Sequence, residues 1–159
     1  NHGSNVSTNV LYSGTMSAAV EGALEGIPSI GFSLTDYSKD ADFSASSVIV
    51  QSIVKEALKN KIKKGICLNV NIPNVPLEKI KGIKTCRKGK AFWDDTFDKR
   101  VDPLGKEYYW LTGSFVNHEQ SSETDVFLLQ NNYVTIVPVQ FDMTAYDQID
   151  NIKKWKLNL

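Results

Sequence analysis

Between Met16 and Pro73 two helix-period stretches alternate with two short strand-like runs, joined by brief connections. Met16, Ala19, Val20, Ala23 and Leu24 recur at helical spacing, and Gly26 and Pro28 supply the stop. Pro28-Ser29-Ile30-Gly31-Phe32-Ser33-Leu34 is short and rich in strand formers, so it reads as a buried strand. After a polar loop over residues 35–42, a second helix is expected over residues 43–61. Val50, Ile53, Val54, Ala57 and Leu58 fall on one face of it, and Gly65 closes the segment. Ile66-Cys67-Leu68-Asn69-Val70-Asn71-Ile72 is the next strand, ended by Pro73. Helix and strand in strict turn, with short joints, predict an α/β fold built on a parallel sheet.

Beyond Lys79 the character changes. The chain alternates, carries many charges and places Gly82, Gly89, Pro103 and Gly105 as turn residues. Ile83, Thr85 and Arg87 read as the start of one strand, with Glu107-Tyr108-Tyr109-Trp110-Leu111 as its antiparallel return. Phe92, Trp93, Phe97, Tyr108, Tyr109 and Trp110 give this hairpin an aromatic surface, suited to cross-strand packing or to a subunit contact. His118 and Glu119 read as a surface pair, and residues 123–132 as a short helix capped near Thr124 and Asp125. Tyr133-Val134-Thr135-Ile136-Val137-Pro138-Val139 is a clear strand. Residues 144–157 then read as a terminal helix offering Ile149, Ile152, Trp155 and Leu157 as apolar contacts. The expected division is a core over residues 1–74, a hairpin arm over residues 75–118, and a returning strand with C-terminal helix over residues 119–159.

Eighteen basic and eighteen acidic side chains cancel, which removes bulk attraction to nucleic-acid polymers or anionic membranes. Lys55, Lys59, Lys61, Lys63 and Lys64 cluster where a helix C-terminus favours positive charge, and read as a solvated helix end. No apolar run approaches the ~20 residues of a membrane span. Cys67 reads as a buried small side chain. Cys86 lies among Lys and Arg residues that could lower its pKa. Two unclustered thiols make no disulfide framework and fit a reducing cytoplasm.

The chemistry concentrates in residues 1–15, a polar loop rich in Gly and Asn that runs through Ser13-Gly14-Thr15 into the first helix. The first N–H groups of a helix lack internal partners and sit at the positive end of its dipole, so this junction suits an anion. Ser13 is not a hydrolase nucleophile elbow, since its neighbours do not form Gly-x-Ser-x-Gly. A phosphate-loop lysine and a Gly-x-Gly-x-x-Gly fingerprint are also absent. Two readings of Ser13 remain: part of an anion cradle with Gly14 and Thr15, or a simple helix N-cap. Asn1, Asn5 and Asn9 likewise read as oxygen ligands and phosphate donors or as turn formers.

Asn1-His2-Gly3-Ser4-Asn5, then Leu11-Tyr12-Ser13-Gly14-Thr15 with Ala18-Ala19-Val20-Glu21-Gly22, then Gly26-Ile27-Pro28-Ser29-Ile30 closely resemble the survival protein E (SurE) family. Leu68-Asn69-Val70-Asn71-Ile72-Pro73, Thr124-Asp125, Tyr133 to Pro138 and Asp142-Met143-Thr144 agree in the same order. The resemblance implies a Rossmann-like three-layer core, a protruding hairpin arm and a C-terminal segment exchanged between subunits. It implies a cytoplasmic 5′-nucleotidase that uses Mg²⁺ or Mn²⁺ to hydrolyse nucleoside 5′-monophosphates, and 3′-monophosphates in some members. A homodimer or homotetramer through arm and helix is implied as well. Carried over by position, Asn1 is a metal ligand, Asn5 faces the phosphate with a catalytic role shared by Ser13, and Ser13, Gly14 and Thr15 form the phosphate-binding turn. The family's two adjacent aspartates and a serine of the metal site would lie upstream of Asn1, so the chain is expected to be a C-terminal portion. Asp94-Asp95 falls in the hairpin and does not replace them. The alternative reading is a catalytically incomplete module for anion binding or oligomerisation.

Overall fold

The computed structural model describes residues 1–157. Ten regular elements follow in order: α1 (Gly14–Leu24), β1 (Ser29–Leu34), α2 (Ser44–Asn60), β2 (Ile66–Ile72), β3 (Gly82–Thr85), β4 (Phe92–Val101), β5 (Glu107–Val116), α3 (Asp125–Gln130), β6 (Tyr133–Gln140) and α4 (Tyr146–Ile152). Two 3₁₀ turns, Ser7–Tyr12 and Leu77–Lys79, join them.

The main sheet has the order β1-β2-β6-β3. β1 and β2 are parallel, as the alternating sequence predicts, with Ser29 opposite Cys67 and Leu34 opposite Ile72. β6 enters antiparallel to β2, and β3 runs parallel to β6, so the sheet is mixed. The architecture is the expected α/β core with an arm and a C-terminal helix.

Strand alternation assigns the two faces. Ile30, Phe32 and Leu34 of β1, with Leu68, Val70 and Ile72 of β2, pack on Ile49 and Ile53 of α2. Cys67 of β2 points the other way, where Met16, Ala19 and Ala23 of α1 bury it. Further along that second face the strands turn polar. Ser33, Asn71 and Thr135 stand side by side across β1, β2 and β6, all buried.

Two expectations change. The strand at Ile83 and Thr85 does not begin the hairpin; it pairs with Tyr133 to Ile136 at the sheet edge. A ten-residue return strand needs a ten-residue partner, and Phe92–Val101 supplies it, from Phe92 opposite Val116 to Val101 opposite Glu107. The turn closes where Asp102 N–H donates to Lys106 O (2.9 Å), with Gly105 at φ 83°. The terminal helix is also shorter than expected, and none of its residues is buried. Ile149 and Ile152 of the helix are exposed, as are Trp155 and Leu157 beyond it.

A third apolar cluster joins Val6 of the opening loop, Ala91 at the base of the arm, and Val126 and Leu129 of α3, with Phe115 against it. The arm is therefore anchored at its root while β4 is exposed along its length. Glu119 does not pair with His118. It accepts from Arg87 Nη2 at 2.5 Å and from Lys90 N–H at 3.1 Å, and His118 lies against Phe92.

Candidate functional site

The opening residues run beside the carboxyl end of β1. Asn1 O accepts from Leu34 N–H (2.9 Å), and Gly3 N–H donates to Asp36 O (2.9 Å). In an open α/β sheet the carboxyl ends of parallel strands are where ligand crevices form. Gly3 takes φ 77°, and the ring of Tyr37 occupies the space a Cβ would need. Glycine takes this left-handed conformation without the strain a Cβ would bring.

The chain then crosses the polar face of the sheet. Asn5 N–H donates to Asn71 Oδ1 (2.7 Å), and Asn5 O accepts from Asn69 Nδ2 (2.7 Å). Asn71 Nδ2 donates to Asn69 Oδ1 (3.2 Å), and Asn5 Nδ2 to Ser33 Oγ (2.5 Å). Ser7 adopts φ 53°, left-handed for a residue with a Cβ, and its N–H donates to Asp125 Oδ2 (2.8 Å). The same carboxylate accepts at Oδ1 from Gly89 N–H (2.8 Å) and Val126 N–H (2.9 Å). Burial pushes the Asp125 carboxyl above its ordinary range, against the opposing pull of these backbone donors. One side chain thus ties loop, arm base and α3 together.

The 3₁₀ turn delivers the chain to Ser13, the N-cap of α1. Ser13 Oγ accepts from Met16 N–H (3.1 Å) and Ser13 O from Ser17 N–H (2.8 Å). Both readings of Ser13 survive here, because a hydroxyl that accepts from Met16 keeps its own proton to donate. The Gly14 and Thr15 N–H groups donate to no group among the described residues, and no atom lies within 4 Å of where a Gly14 Cβ would sit.

A cleft of about 580 Å³ opens over this loop. His2, Gly3, Ser4, Asn5, Thr8, Asn9 and Ser13 form its polar wall. Leu11, Tyr12, Tyr37, Phe92, Trp93 and Asp95 complete it. Asn5 and Ser13 both line this cleft. Gly14 and Thr15 adjoin Ser13 but are not part of the wall, nor is Asn1, whose Nδ2 donates to His2 O (2.9 Å). Sequence reasoning misses Tyr12 and Tyr37 as wall residues, although Tyr12 is 88% and Tyr37 75% exposed. The available signal is position: Tyr12 directly precedes the helix cap. Asp95, although on the arm, does reach the cleft.

Cys86 is not activated by its basic neighbours. Burial, with the nearby Asp125 charge, pushes its thiol up to about 12.

The family profile described as Survival protein SurE matches residues 1–95, which include the whole loop, α1, β1, α2, β2 and the first cleft residues of the arm. This chain belongs to the SurE family. Its SurE relatives include "5'-nucleotidase SurE" of Christiangramia forsetii, 55% identical over 99% of this chain and 61% of that protein. The protein of the same description from Flavobacterium psychrophilum is 54% identical over 99% of this chain and 62% of its own length. Among solved structures, the SurE protein from Aquifex aeolicus matches with a TM-score of 0.82 at 38% identity, over 96% of this chain and 61% of that one. The chain thus spans about three fifths of the length of these SurE proteins.

Proposed function

We propose that this chain is the phosphate-gripping part of a metal-dependent phosphatase acting on nucleoside 5′-monophosphates, with 3′-monophosphates as a second substrate class. The observation that carries the reading is the pair of N–H groups at Gly14 and Thr15, unpartnered among the described residues, next to the Ser13 hydroxyl and an open cleft. Those donors suit the equatorial oxygens of a phosphoryl group, where charge builds during displacement. Asn5 and Ser13 are the proposed catalytic groups, because both line the cleft, with an amide and a hydroxyl that would donate to those oxygens. The nucleoside reading draws on Tyr12, Tyr37, Phe92 and Trp93, whose rings offer stacking faces to a base beyond the phosphate. The "5'-nucleotidase" description of the relatives supports it.

The described residues do not by themselves form a complete site for the proposed ion, Mg²⁺ or Mn²⁺. Among the described residues no three His, Cys, Asp or Glu side chains gather into a possible metal site. Asn1 supplies one neutral oxygen at most, and hard cations want carboxylates as well. What these residues contribute is the hold on the phosphate. That observation also favours the second reading for the chain taken alone, an anion-binding or assembly module.

A homodimer or homotetramer through the arm and α4 is part of the proposal, supported by the exposure of Phe97, Trp110, Leu111, Ile152 and Trp155. Among the described residues no helix is long and apolar enough to cross a membrane, and both cysteines are free. Free thiols support a cytoplasmic setting.

The test is hydrolysis of AMP and of ribose 5-phosphate with added Mn²⁺, by the protein at its natural full length. Turnover of AMP, and a kcat lowered about tenfold or more in Asn5→Ala, are expected. An unchanged kcat in that variant removes Asn5 from the chemistry, and equal kcat/KM for the two substrates removes the base contact.

A further inference from the structure

We infer that Asn69 and Asn71, together with Ser33, are positioning residues that act on the phosphate site through Asn5; the inference rests on the function proposed above. β2 lies between β1 and β6 and is covered on both faces, a setting that ordinarily selects a continuous apolar run. Its α2 face obeys, with Leu68, Val70 and Ile72. Its other face begins apolar at Cys67 and then places asparagine at two successive same-face positions, 1% and 0% exposed.

A buried amide is costly unless its polar atoms are paired. Asn71 Oδ1 receives the Asn5 N–H, Asn69 Nδ2 donates to the Asn5 carbonyl, and the two amides are linked to each other. Both backbone groups of one residue are therefore gripped by side chains 64 and 66 positions away. The Asn5 side chain is fixed separately, through its Nδ2 on Ser33 Oγ, and Ser33 stands opposite Asn71 in the β1–β2 register.

The consequence is preorganisation. A loop held only by its ends would let Asn5 sample many orientations, whereas a residue pinned at N–H, C=O and side-chain amide presents one. Misplacing a catalytic group by about 1 Å costs up to ~10²-fold in rate. The opening loop crosses this stretch of β2, and the two asparagines make that contact polar.

A double-mutant cycle on the full-length protein, reading kcat and KM for AMP, separates this role from simple structural glue. Asn69→Ala is expected to lower kcat about tenfold, with KM changed much less. In the Asn5→Ala background the same substitution is expected to cost little further, because its route of action is already gone. Equal losses in both backgrounds overturn the inference, and so does an undiminished kcat in Asn69→Ala. Should Asn69→Ala fail to fold, Ser33→Ala takes its place in the same cycle, and the same outcomes support or overturn the inference. A wild-type enzyme inert on AMP overturns the phosphatase reading and this inference with it; multiplying losses in an active enzyme overturn this inference alone.

Discussion

Replacing Asp125 with alanine should cost this fold a large part of its stability. The side chain is fully buried and accepts three backbone N–H groups, from Ser7, Gly89 and Val126. Two of these cross between elements far apart in sequence, 118 residues to Ser7 and 36 to Gly89. Ser7 has no exposure, so its freed N–H would find no water without the loop opening. A buried donor left without its acceptor costs about 1–3 kcal/mol, so the two long-range bonds alone account for about 2–6 kcal/mol. Removing the desolvation penalty of the carboxylate returns part of this. A net loss of about 2–4 kcal/mol follows. Against a domain stability of about 5–15 kcal/mol that is a severe defect. Urea unfolding of the full-length protein measures it as a lowered midpoint at unchanged slope. A loss below about 1 kcal/mol would refute the reasoning, because it would mean that water reaches the site and serves the three donors as well as Asp125 does.

Other perturbations follow from the same geometry. Asp125→Asn keeps the shape but no longer titrates. Burial raises the folded-state pKa of Asp125 above its unfolded value, so its contribution is fully present below the unfolded pKa and is lost as pH rises through the folded one. The stability of wild type relative to Asp125→Asn should therefore fall as pH climbs from about 4; a difference flat with pH refutes this. Ser7→Gly relieves the Cβ strain of a left-handed φ of 53° and removes a buried hydroxyl with no partner among the described residues, and should raise stability by about 1 kcal/mol in thermal unfolding. An unchanged or lower melting temperature would contradict it. Gly3→Ala drives a methyl into the Tyr37 ring at φ 77° and should raise KM for AMP more than it lowers kcat. An unaltered KM would take Tyr37 out of the binding wall.

Much of this architecture is legible in the sequence because its signals are local. Met16, Ala19 and Ala23 mark the buried stripe of α1, and Gly26 and Pro28 its end; in α2 the expected face includes Ile53 but omits Ile49. The Ser13 junction is legible for the same reason, since a helix start is written within a few residues. The partner of β5 is not. Whether residues 82–85 or 92–101 pair with it depends on a free edge of β6 some fifty residues later, and periodicity says nothing about distant edges. Asp125 reads as part of a helix cap, which it resembles locally, while its decisive partners at Ser7 and Gly89 are brought near only by folding.

Asn69 and Asn71 do carry a readable signal. In a strand whose flanking pattern demands burial on both faces, two same-face asparagines cannot be left facing hydrocarbon, because unpaired amides there would outweigh what the neighbouring apolar residues contribute. Backbone with free N–H and C=O groups lying across them meets that need, and an irregular loop offers such groups where the middle of a helix, bonded internally, does not. The strand therefore marks, from inside the core, the patch where the chain crosses the sheet as loop, and that patch is where Asn5 is held.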